Sequence, residues 1–248
     1  MDTRKHRMLE KALLILEYIS GQPEGVTLPE ICAHMQMAKS SAYSLLMTFV
    51  NMNYVKRGVN NRFVIGMKPF EIGSRFIENS DFFLYSRDVL KELADAVKAT
   101  AHLAALDGSD VVYLSKCGGT PTVQMSSSVG KRLPAHATAL GKALLSGKSD
   151  KDIRKIYHAG EMQQLTPSTI TDPELLITQL HEIRSEGFAY ECEESSLGIR
   201  CIAVPVMEGS GSVYLGLSLS VPAVRTEPEL EQMKQPLLAA KLRLERVL

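Results

Sequence analysis

The stretch Lys39-Ser40-Ser41-Ala42-Tyr43-Ser44-Leu45-Leu46-Met47-Thr48-Phe49 decides the fold of the first third of the chain. Ala42, Leu45, Leu46 and Phe49 follow the i, i+3, i+4, i+7 rule and form one apolar helical face. The other face carries a lysine, serines, a tyrosine and a threonine, with no carboxylate. The acid-free span is wider than this helix, because no Asp or Glu occurs between Glu30 and Glu71. The whole chain has 28 acidic residues against 28 Lys and Arg in 248, so its net charge is zero. That balance hides a split: residues 1–67 hold eight Lys/Arg and five Asp/Glu, and residues 31–67 hold four and none. A small basic module facing a polyanion, joined to a larger module with another task, accounts for the pattern.

Working outward, residues 4–20 read as an amphipathic helix with Met8, Leu9, Ala12, Leu13, Ile15, Leu16 and Ile19 at helical spacing. Gly21 to Gly25 break it. Thr27 and Glu30 form a capping-box pattern with Pro29 in the first turn, so a short second helix is expected to end near Met35. The quoted helix follows from Lys39. Two short apolar strands around Gly58-Val59-Asn60-Asn61 then read as a hairpin. Helix, short helix, tight turn, helix and two-stranded wing make a winged helix-turn-helix. In that fold the start of the second helix of the motif enters the major groove. Lys39, Ser40, Ser41, Tyr43 and Ser44 are the expected groove residues, and the wing adds Lys56, Arg57 and Arg62. A carboxylate there would oppose phosphate, which explains the acid-free span. The expected partner is double-stranded operator DNA, bound as a dimer because one recognition helix covers a half-site.

Residues 67–79 predict a connecting helix with Phe70, Ile72 and Phe76 apolar, and residues 81–100 a longer one. The pattern then turns to mixed α and β. Residues 101–106 and 111–116 flank Asp107-Gly108-Ser109-Asp110 as a hairpin. Strands are also expected at 121–125, 188–192, 201–207 and 213–221, and helices at 140–145, 150–158, 172–187 and 226–248. The predicted class is α+β. Its domains are a winged helix-turn-helix over 1–66, a linker helix over 67–80 and a mixed α/β domain over 81–248.

The quoted segment resembles the DNA-binding domain of the IclR family of bacterial transcription regulators. The family pattern "LPKSTVYRLLxTLxxxGYV", with a wing ending "YxLG" and a linker motif "LxxLG", is matched by Met37 to Leu46, Asn53-Tyr54-Val55, Phe63 to Gly66 and Phe70 to Gly73. The chain departs from it at Ser44, where the family often has arginine, and at Asn53, where it has glycine. Further on, GKRLPAHATALGKALL (130–145) and GFAYECEESSLGIRCIAVPV (187–206) resemble "GxxxPLHATAxGKALLA" and "GYAxxxEExxxGxxCIAAPV". The resemblance implies a GAF-like C-terminal domain that binds a small effector, an organic acid by the family's habit. It also implies a homodimer or tetramer and a regulator, here read as a repressor. Carried over position by position, it places Met125, Leu133, Ala139 and Leu140 on one wall of the effector site. Glu191, Ile199, Cys201, Ser218 and Ser220 form the other wall. Ala139 and Leu140 would contribute backbone amides at a helix start. Ser218 and Ser220 lie on one strand face and would contribute hydroxyls. Small Ala139 and Gly141 would let a ligand approach the backbone.

The remaining chemistry excludes other classes. No CxxC pair occurs, and Cys32, Cys117, Cys192 and Cys201 are expected as free thiols. The six histidines show no metal spacing, no cofactor is expected, and His136 reads as structural. Glu193 and Glu194 read as an exposed acidic strand end. Gly147-Lys148-Ser149 ends like a P-loop, but that motif needs glycine where Lys142 stands. No nucleophile–base pair is identifiable, so no enzyme is expected. The competing reading is a metabolite-transforming enzyme with a fused regulatory helix-turn-helix. The chain has no apolar run of membrane length and no signal core, which predicts a cytoplasmic protein.

Overall fold

The computed structural model describes residues 6–78, 81–118, 127–158 and 162–248. The chain divides into two units, Met1–Ser80 and Asp81–Leu248.

The first unit is built on three helices: α1 (Arg7–Ser20), α2 (Leu28–Met35) and α3 (Lys39–Asn51). A wing of β1 (Val55–Arg57) and β2 (Phe63–Ile65) and the helix α4 (Lys68–Glu78) complete it. Thr27 and Glu30 close the expected capping box: the Thr27 hydroxyl accepts from the Glu30 amide, and the Glu30 carboxylate accepts from the Thr27 amide at 2.6 Å. Ile15, Ile19, Ile31, Ala42, Leu46, Val55 and Phe63 form the core, so the apolar faces of all three helices and the wing meet in one place. Only part of the apolar pattern of α1 is used. Ala12, Ile15 and Ile19 are buried, whereas Met8, Leu9, Leu13 and Leu14 are exposed.

One departure from the family pattern, Asn53, and one match, Gly66, have a local cause. Asn53 sits at φ 61°, in the left-handed region that favours glycine and that asparagine tolerates. A side chain at Gly66 would meet the Asn53 carbonyl oxygen at 2.2 Å, so the chain needs glycine there.

The second unit is a six-stranded antiparallel sheet in the order β5-β4-β3-β8-β7-β6. Its strands are β3 (Thr100–Asp107), β4 (Asp110–Cys117), β5 (Arg132–Pro134), β6 (Ala189–Cys192), β7 (Ile199–Met207) and β8 (Val213–Pro222). Helices α5 (Asp81–Val97) and α9 (Glu227–Glu245) cover one face through Leu90, Leu93, Leu230 and Leu237. Helices α6 (Ala139–Leu145), α7 (Asp150–Ile156) and α8 (Pro173–Glu186) build the core on the other. Sequence reading does not find β5, a three-residue strand too short to show alternation. The strand expected at 121–125 lies outside the described residues. Among the described residues no helix is long and apolar enough to cross a membrane.

Candidate DNA-reading head and effector cleft

Lys39, Ser40, Tyr43 and Ser44 are exposed at the start of α3, and Ser41 is half-buried. The helix begins after Ala38, which supplies no side-chain cap, and its first turn holds no acid. By contrast α2, α6, α7 and α8 are all capped by a Thr, Ser or Asp side chain. The open amide end of α3 carries the positive pole of the helix dipole, which attracts phosphate. On the wing Lys56 and Arg57 are exposed, and Arg57 donates to Asn61 Oδ1 at 2.7 Å.

Arg62 is different and corrects the expectation. Its Nε donates to the carbonyls of Glu24 and Gly25 at 3.0 and 3.2 Å, and its guanidinium pairs with Glu30 at 3.5 Å. It ties the wing to the turn before α2, and its charge is shared with the Glu30 carboxylate while the side chain stays partly exposed. Substituting Arg62 with alanine is expected to lower the melting temperature of the chain by the loss of ~1 kcal/mol. The salt dependence of DNA binding is expected to stay the same, which titrations at several salt concentrations check.

In the second unit, strand register brings most of the predicted effector residues onto one sheet face. Glu191 pairs with Cys201, Cys201 with Ser220, and His102 with Ser218. A cleft of about 30 Å³ opens there, and Leu133, Ile199, Cys201 and Ser220 line it together with Tyr113, Ser127, Ser195 and Ser196. Met125 lies outside the described residues. Glu191 and Ser218 are buried beside the cleft without lining it, and Ala139 and Leu140 are buried in the core and do not line it either. Leu140 lies over Gly216 of β8, with its side chain 2.9 Å from where a Cβ would stand. What they offer is main-chain amides. Gly141 admits no ligand either: a Cβ there would meet the Ala135 carbonyl oxygen at 2.0 Å, so its small size serves the protein's own backbone.

Sequence reading missed His102, which lies inside an apolar strand. Its Nε2 bonds Ser127 Oγ at 2.8 Å, its Nδ1 lies 3.5 Å from Ser220 Oγ, and its ring meets Tyr113 edge-on. Burial, reinforced by the Lys116 charge, pushes its pKa down to about 3, so the ring is neutral. Ser220 Oγ continues the line to Cys201 Sγ at 3.1 Å. Burial raises the Cys201 thiol well above its usual range, so the sulfur is a protonated thiol.

Glu194 also departs from expectation. The strand ends at Cys192, and Glu193 takes a left-handed φ of 58°. The alternation of side chains is broken there, and Glu194 turns inward. Its Oε1 accepts from Lys142 Nζ at 2.6 Å, with both side chains nearly inaccessible to solvent. Lys142 also donates to the Tyr190 carbonyl at 3.3 Å. His136 keeps its structural reading, since it is buried with Nε2 on the Gln163 carbonyl and its ring edge-on to Tyr157. Among the described residues no group of three or more His, Cys, Asp and Glu could hold a metal ion, and Cys32, Cys117, Cys192 and Cys201 are free.

Two family profiles match this arrangement: "IclR helix-turn-helix domain" over residues 8–58 and "Bacterial transcriptional regulator IclR C-terminal" over residues 75–245. The chain belongs to the IclR family. This IclR-family member is a transcriptional regulator with a helix-turn-helix DNA-binding domain. It is 34% identical over 210 residues to the HTH-type transcriptional regulator KdgR of Escherichia coli, covering 84% of this chain and 80% of that one. The crystal structure of the Thermotoga maritima IclR covers 97% of this chain and 98% of its own, at 30% identity and a TM-score of 0.77. An IclR homolog from Microbacterium hydrocarbonoxydans, complexed with 4-hydroxybenzoate, shares the fold at 23% identity and a TM-score of 0.82. That match covers 96% of this chain and 98% of the homolog.

Proposed function

We propose that this IclR-family regulator represses its target genes by seating the start of α3 in the major groove of operator DNA, with Lys56 and Arg57 of the wing on the flanking phosphates. The observation that carries the reading is the open, carboxylate-free start of α3 with Lys39 exposed on it. Residues 1–66 then serve as the DNA-binding domain, 67–80 as the linker and 81–248 as the effector domain. The exposed Met8, Leu9 and Leu13 of α1, with Phe70 and Ile72 of α4, supply apolar surface for pairing two copies, as a homodimer or as a tetramer built from two dimers.

A small organic acid binds in the cleft on the inner sheet face. The Ser220 hydroxyl and the Cys201 thiol provide polar groups beside an apolar wall of Leu133 and Ile199, and the widened cleft gains the Ser218 hydroxyl, Glu191 and the main-chain amides of Ala139 and Leu140. The 4-hydroxybenzoate held by the Microbacterium homolog supports a carboxylate in this class of domain. The free volume of about 30 Å³ is small for a metabolite, so binding widens the cleft. The effector regulates only if it binds the DNA-competent and DNA-released states unequally. Such a protein works in the cytoplasm, where its DNA is.

A thermal-shift panel of small carboxylates tests the effector half. At 100 times its Kd, a true effector stabilises the fold by about 2.7 kcal/mol, a rise of several degrees. If no acid in the panel raises the melting temperature, the organic-acid reading fails.

A further inference from the structure

Glu191 is 2% exposed and stands beside Cys201, its register partner, which lines the cleft. Its Oε1 accepts from the amides of Glu194 and Ser195 at 2.7 and 3.0 Å and lies 3.4 Å from Ser195 Oγ. Its Oε2 is buried and has no hydrogen-bond partner among the described residues. Among the described residues no cation is paired with the group. Lys142 of α6 is held by Glu194 Oε1 and the Tyr190 carbonyl. Lys116 of β4 gives its ammonium to the Ser127 carbonyl at 2.8 Å. Arg200, next to Cys201 on β7 and therefore on the opposite face, pairs with Glu227 of α9. The other titratable groups on the site side are Cys201 of β7, Tyr113 of β4, His102 of β3 and Glu194 of the following turn. Cys201 and Tyr113 are protonated and His102 is neutral.

A buried carboxylate with one orphan oxygen and no partner cation is unfavourable, and an arriving organic anion adds a second negative charge beside it. We propose that Glu191 engages the effector as a neutral carboxylic acid, donating the hydrogen on Oε2 to one carboxylate oxygen of an organic acid. This rests on the effector reading of the cleft. The donors on Oε1 decide where the proton sits, because that oxygen is already filled and Oε2 is not. A carboxyl group kept neutral by an apolar setting so that it donates a hydrogen bond is a known device of enzyme sites. Burial raises Glu191 above its ordinary value, against the Ser195 and Glu194 amides and the Cys201 thiol, whose hydrogen bonds pull it down. Effector binding then takes up a proton at this residue, and a carboxylate ligand binds more weakly as pH rises.

The test needs no ligand at first. Glu191→Gln is neutral at every pH, keeps a hydrogen-bond donor and keeps an Oε1 for the Glu194 and Ser195 donors. With the folded pKa raised above the unfolded one, the wild type loses stability relative to E191Q as pH climbs from 4.5 towards the folded value, and the loss then levels off. The melting temperatures of the two full-length proteins are therefore expected to diverge in favour of E191Q. The divergence is about 2–4 °C for each unit by which the folded value stands above the unfolded one. A pH-independent difference, or one that moves in favour of the wild type, overturns the proposal. If E191Q does not fold, a carboxyl-carbon NMR titration of the wild type decides. Glu191 titrating above 4.5 is expected, and titration at or below 4.5 refutes it.

The ligand arm uses acetate, pyruvate and 4-hydroxybenzoate in thermal shift. Stabilisation of the wild type that weakens with pH, and of E191Q that does not, supports the proposal. If no acid stabilises either protein, the effector reading falls, while the pH comparison alone still judges the protonation of Glu191.

Discussion

Replacing Lys142 with methionine is expected to destabilise the second unit by ~3–5 kcal/mol, seen as a melting temperature lower by about 10 °C. The cause is the charge left behind. Lys142 is fully buried, and its ammonium is the counter-ion of Glu194, whose second oxygen has no hydrogen-bond partner among the described residues. Methionine fills the same volume but leaves the carboxylate alone in a dry site and removes the donor on the Tyr190 carbonyl. The double change Lys142→Met with Glu194→Leu is expected to recover most of the loss, because a buried ion pair replaced whole by apolar side chains is often neutral. Thermal and denaturant unfolding of the three proteins checks this. A single variant as stable as wild type would mean that Glu194 finds another partner.

The pair also matters to the site. It fastens the turn that follows β6 to α6, and that same turn supplies the Glu194 and Ser195 amides that hold Glu191. Loosening it is expected to weaken effector binding along with the fold.

The first unit was legible in the sequence because its signals are local. A capping box spans Thr27 to Glu30, the core face of α3 repeats within eleven residues, and the wing turns on Gly58 and two asparagines. The strand faces of the second unit were legible through period-two alternation, which put Ser218 and Ser220 together before any register was known. What failed was non-local. The tying role of Arg62 depends on carbonyls 37 and 38 positions away, and Lys142 meets Glu194 across 52. One left-handed residue, Glu193, inverted the alternation after β6 and buried a carboxylate that looked solvated. His102 gave no sign, since a histidine between apolar neighbours looks the same whether it packs or lines a site. Gly141 was misread for a related reason: small size marks a close approach without saying by what.

The other large effect is expected at Lys39. Glutamate there reverses the charge at the open end of α3 and puts a carboxylate where none stands between Glu30 and Glu71. Removing a lysine–phosphate contact flattens the salt dependence by about one unit of slope. Reversing the charge adds repulsion, and a loss of ~1–3 kcal/mol per recognition helix, tenfold to a hundredfold in affinity, is expected. The fold is unaffected in this account, since the Lys39 side chain is exposed and takes no part in the core of the unit.

The most direct measurement takes duplexes selected from a random library by the purified full-length protein and titrates them against wild type and Lys39→Glu over a range of salt. The account predicts tight wild-type binding whose log affinity falls linearly with log salt, and a variant at least about tenfold weaker with a shallower slope. A variant that binds the selected DNA with wild-type affinity and slope would contradict the claim that the start of α3 is the DNA-reading surface.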